Sequence, residues 1–118
     1  METAASIAVA VVALLHVWFM VLEMVLWTKP LGRRTFGLSL EFAQQSAALA
    51  ANQGLYNGFL AAGLGWGLLT NRPAVVTFFL ICVVVAGIFG AATANGRILL
   101  AQALPAAVAL ALTLLARG

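Results

Sequence analysis

The chain has 118 residues, 64% hydrophobic and only 8% charged, with six basic side chains against three acidic ones and a net charge of +3. An ordinary soluble domain carries about 25% charged residues, so this composition excludes a water-exposed surface and makes a lipid bilayer the expected solvent. The cations Lys29, Arg33, Arg34, Arg72, Arg97 and Arg117 stand at expected helix ends and in loops; they read as topology signals rather than as a nucleic-acid patch.

A bilayer core about 30 Å thick needs roughly 20 apolar residues per helix, and four such runs lie near 4–27, 47–69, 74–94 and 98–116. They predict an all-α integral membrane protein, a four-helix antiparallel bundle forming a single transmembrane domain over 1–118. The first run opens "METAASIAVAVV", with Glu2 where a signal peptide has basic residues. Being longer than a signal core, this run is expected to be retained as a span. Within it, "LLHVWFMVLEMVLW" carries His16 and Glu23 seven positions apart. Seven residues place them about 20° apart around a helix and about 10 Å apart along it, on one face.

The connection "TKPLGRRTFGLSLEFAQQS" is the only long one. Its Ser39 followed by Glu41 marks a helix N-cap with an acid in the first turn, so the second helix is expected to begin near Leu40. That helix then spends "ANQGLYNGFLAAGLGWGLL" on glycine, alanine and amides, which places it in the middle of the bundle. Gly54 and Gly58 allow a neighbouring backbone to come close. Gln53 and Asn57 share a face, with Tyr56 flanking and Asn52 one position around.

"TNRP" and "NGR" are turn signals that end the second and third helices, and loops this short force antiparallel neighbours. In the third run Cys82 has no second cysteine to pair with and reads as packing, while Gly87 and Gly90 leave room for a neighbour. The fourth carries Gln102 and Pro105, and the proline frees a backbone carbonyl at membrane depth. Counting inward from the ends of the runs sets Glu23, Asn52, Gln53, Gly90 and Gln102 at one depth, with His16 and Asn57 together at a deeper one.

At "HVWFMVLEMVLW", "RRTFGLS", "LAANQGLYNGFLAAGL", "VAGIFGAAT" and "LAQALPA" the sequence resembles a family of small bacterial membrane proteins, domain of unknown function family 1304. The resemblance covers nearly the whole chain. It implies a four-helix membrane protein and points to His16, Glu23, Asn52, Gln53, Asn57 and Gln102 as family-pattern residues. It does not imply an activity. Phe89 stands where many relatives are expected to have tyrosine. In a bacterial cytoplasmic (inner) membrane, Lys29, Arg33, Arg34 and Arg97 against Arg72 and Arg117 put the long first loop in the cytoplasm and both termini outside.

The functional expectation is a polar intramembrane pocket that binds a small, partly apolar ligand or a lipid. Acid/base chemistry would fall to His16 and Glu23, and orientation of the ligand to Asn52, Gln53, Tyr56, Asn57 and Gln102. The plainer reading makes Glu23 a structural acid satisfied by Gln53, Gln102 or Lys29. In that reading His16 is a neutral ring bonded to Asn57 or Tyr56, and the amides are interhelical glue at about 0.6 kcal/mol per contact. Two further classes stay open, a proton-coupled small-molecule exporter and a structural or assembly protein without a ligand. A homodimer through the glycine-rich second helix also stays open. No cofactor is expected: one histidine and one cysteine build no usual zinc site, and no glycine-rich phosphate loop is present.

Overall fold

A computed structural model describes residues 2–117. Its regular structure is helical throughout: α1 (Thr3–Met24), α2 (Pro30–Phe36), α3 (Leu40–Leu69), α4 (Pro73–Thr93), a π-helical segment (Leu99–Ala103) and α5 (Leu104–Arg117). Thr3–Met24, Pro73–Thr93 and Leu99–Arg117 are long and apolar enough to cross a membrane. α3 is the longest helix at 30 residues, but its amides and glycines make it more polar than these three. The chain divides into two compact units, Met1–Leu14 with Leu60–Gly118, and Leu15–Phe59, and both α1 and α3 contribute to each.

In the first unit, four helical segments meet in one apolar core. Val9 and Val12 come from α1, Leu64 from α3, Val76, Leu80 and Val83 from α4, and Ala106 and Ala109 from α5. α3 stops where Asn71 takes a left-handed backbone at φ 52°, a conformation asparagine tolerates. The Arg72 N–H then turns back to the Gly67 carbonyl at 2.9 Å, and Pro73 opens α4 with the φ a first turn requires. After α4, the Asn95 side chain accepts the Arg97 N–H at 2.9 Å and redirects the chain towards the π-helical segment.

α4 runs antiparallel to the π-helical segment and α5. Gly90 lies against Ile98 and Gly87 against Ala103, and the Arg117 guanidinium donates to Thr77 Oγ1 at 3.5 Å. The wide turn has a local cause. Pro105 has no N–H for the carbonyl one α-turn earlier, and the Leu104 N–H reaches back five residues to the Leu99 carbonyl. The free carbonyl expected from Pro105 is thus accompanied by a π-bulge. Away from the core this unit is apolar as well, with Phe89 69%, Leu115 77% and Leu69 90% exposed. Apolar exposure on this scale is what lipid contact requires and what monomeric soluble proteins avoid.

The second unit holds the end of α1, all of α2 and the first two-thirds of α3. The Trp27 ring packs against Phe36 at 4.9 Å between centroids, and its indole N–H donates to Ser46 Oγ at 3.0 Å. This bond pins the start of the first connection to α3. Trp27→Phe keeps most of the ring and removes the donor. It is expected to cost about 0.5–1.5 kcal/mol, measured as a lower midpoint in detergent unfolding followed by the remaining tryptophans.

α2 lies within the first connection, where the sequence predicts only a loop. Pro30 stands in its first turn and Gly37 ends it in the left-handed region at φ 67°, the proline-first, glycine-last pattern of a short helix. The Leu38 N–H caps it by bonding the Arg33 carbonyl at 2.8 Å. At seven residues the helix is too short for an apolar period to announce it. The cap expected at Ser39 is formed, its hydroxyl accepting the Phe42 N–H at 3.1 Å, and α3 begins at Leu40.

Candidate functional site

His16 and Glu23 lie on the second half of α1. His16 is fully buried and meets the Phe19 ring edge-on at 5.2 Å. Glu23, two turns further on, is half-buried at the end of the helix. The segment between them is apolar enough to hold an acid that on its own would cost about 2.5–3.5 kcal/mol at a helix centre.

α3 reaches this face because it has glycine there. A Cβ on Gly54 would lie 2.6 Å from Met24 Cγ, 3.1 Å from Glu23 Cβ and 3.2 Å from the Met20 carbonyl oxygen, and one on Gly58 would lie 2.7 Å from Met20 Sδ. The two glycines, one turn apart, let the α1 backbone settle onto α3, as small residues do between membrane helices. Contacts descend α3 from Gly58 to Gly54 to Ser46 as they advance from Met20 and Glu23 on α1 to Trp27 just beyond it. The two stretches are therefore antiparallel.

This approach brings Asn57 to Glu23. The Asn57 amide donates to Glu23 Oε1, and Asn57 is 5% exposed. Counting from the helix ends sets Asn57 opposite His16; the structure gives its amide to Glu23 instead.

Among the described residues Glu23 Oε2 receives no hydrogen bond. No buried side-chain oxygen or nitrogen among them lacks a partner, so Oε2 reaches the surface of the chain. The site is a carboxylate held by one oxygen and open at the other.

Asn52, Gln53 and Tyr56 are placed differently. Asn52 is exposed and its amide donates back to the Ala48 carbonyl at 3.1 Å. Gln53 is exposed, and so is Tyr56, whose ring meets Phe59 at 6.0 Å between centroids. Gln102 lies in the other unit, half-buried in the π-helical segment. Met20 reads from the sequence only as a packing residue; the apolar–small pairing of Met20 with Gly54 and Gly58 is the signal that brings it to the site. Among the described residues no three His, Cys, Asp or Glu side chains gather as metal ligands would.

The family model described as "Protein of unknown function (DUF1304)" matches residues 10–114. The chain belongs to this family. Its match takes in all of the second unit, including Glu23 and Asn57. The chain is also similar to the "Uncharacterized protein YpaA" of Lactococcus lactis subsp. lactis (strain IL1403), 30% identical over 95 residues, which cover 77% of this chain and 80% of that protein. No solved structure matches it.

Proposed function

We propose that the protein is a four-helix antiparallel protein of the bacterial cytoplasmic membrane, with α3 as the fourth span, and that it binds a small, partly apolar ligand at Glu23. One observation carries the reading: Oε1 of a half-buried carboxylate is occupied by Asn57, while Oε2 has no hydrogen bond among the described residues and is accessible. A carboxylate needed only for packing would use both oxygens within the chain, because an unmade hydrogen bond in hydrocarbon is costly.

The polar head of the ligand donates to Oε2, and its apolar part lies along the aliphatic and aromatic surface of α1. His16, about 10 Å along the same helix, is fully buried and does not touch a ligand held at Oε2.

The test uses octylamine and octanol as probes, with the thermal midpoint of the detergent-solubilised protein as readout. Ligand at about 100 times its dissociation constant stabilises a folded state by about 2.7 kcal/mol. The wild-type midpoint is expected to rise with the donor-bearing probes, and Glu23→Gln, which keeps the shape of the side chain, is expected to lose most of that rise. Equal rises in the two proteins would remove Glu23 from any ligand site.

A further inference from the structure

Away from its glycines α3 is widely exposed, and one line through that exposed surface runs Phe42, Gln45, Leu49, Asn52, Tyr56 and Phe59, flanked by exposed Glu41 and Gln53. The spacings along this line alternate three, four, three, four, three, the interval of a coiled-coil seam. Leu49 is 76% exposed and Tyr56 58%. The glycines at 54 and 58 point elsewhere, onto α1.

We propose that this seam packs against the same seam of a second copy of the chain, in a parallel two-fold dimer. The inference rests on the reading of α3 as a membrane span. Asn52 lies six residues beyond Ser46, the partner of Trp27 at the end of the first run, hence about 9 Å deeper, and Tyr56 lies about 15 Å deeper. Polar side chains at such depths are rare facing lipid and ordinarily face protein. Among the described residues the Tyr56 hydroxyl makes no hydrogen bond, and Asn52 bonds only its own helix.

The chemistry of the seam selects the occupant. Two copies inserted in the same direction are related by an axis along the membrane normal, which sets each seam residue opposite its own counterpart. Only groups that both donate and accept can satisfy themselves across such an axis. Amides and phenols qualify, whereas carboxylates and ammonium groups do not. Gln45, Asn52 and Tyr56 are all of the self-complementary kind, and the apolar Phe42, Leu49 and Phe59 are interspersed with them as packing layers.

The experiment is oxidative cross-linking in native membranes on a Cys82→Ser background. Leu49→Cys and Phe59→Cys sample the seam, and Ile81→Cys and Leu115→Cys sample exposed positions on other helices. The seam variants are expected to shift most of the chain to twice the monomer mass while the others stay monomeric. Asn52→Leu is expected to move the purified protein from dimer towards monomer in detergent.

Cross-linking that is equal at all four positions, or that joins the seam only to another protein, overturns the pairing. Labelling of Leu38→Cys and Thr70→Cys with a membrane-impermeant maleimide separates the two readings. Labelling from the same side denies the span, and the dimer with it. Labelling from opposite sides without seam cross-links denies the dimer alone.

Discussion

Gly87→Ala is expected to destabilise the chain by about 1–3 kcal/mol, the usual cost of forcing added volume into a packed interior. Gly90→Ala, three residues away on the same helix, should cost much less. The added Cβ at position 87 would stand 2.7 Å from Ala103 Cβ, 2.8 Å from its amide nitrogen and 3.0 Å from its Cα. Two of those three atoms are backbone and cannot turn aside, so α4 and the π-helical segment would have to separate. At position 90 the new methyl meets Ile98 Cγ2 at 3.1 Å and Cδ1 at 3.3 Å, and that side chain can rotate. Unfolding in mixed detergent micelles with rising dodecyl sulfate measures both, and equal losses would mean that the close approach at Gly87 is absent.

Asn57→Leu is expected to cost about 1–3 kcal/mol, because it leaves the half-buried Glu23 carboxylate without its donor. Adding Glu23→Leu to that variant should return most of the loss. Removing both members of a buried polar pair leaves nothing unsatisfied, and an apolar pair of similar volume is often neutral. The double-mutant cycle is read in the same micelle titration, where residues in contact couple by about 0.5–3 kcal/mol. Additive losses would show that the amide and the acid act separately.

Helix identity is legible in the sequence because turns and caps are local. Ser39, Asn71 with Pro73, and Asn95 with Gly96 mark the ends of helices through their own backbone preferences, and the structure places ends beside each of them. Gly54 and Gly58 are legible as a contact face, since only a missing side chain allows backbones so close. The partner of Glu23 is not legible. It depends on the sliding register of α1 against α3, which is set by Met20 and Met24 filling the space at the two glycines and by Trp27 reaching Ser46. These are pairwise fits between distant stretches, and hydropathy is blind to them. The outward placement of Asn52, Gln53 and Tyr56 is hidden for a related reason. Polar and small positions crowded into one stretch wrap around a helix, and which of them turns inward is decided by the neighbour.

The π-helical segment before α5 governs how this hairpin is phased. Ile98 and Ala103 both touch glycines on α4 that are three residues apart, yet five residues of ordinary α-helix would swing them about 140° out of alignment. A turn that closes on the fifth residue brings them back into line. It passes a corrected rotation to Ala106, Ala109 and Thr113, all buried. The single surplus residue works as an angular clutch, and the downstream half of the last helix meshes with its neighbour only while the clutch is engaged.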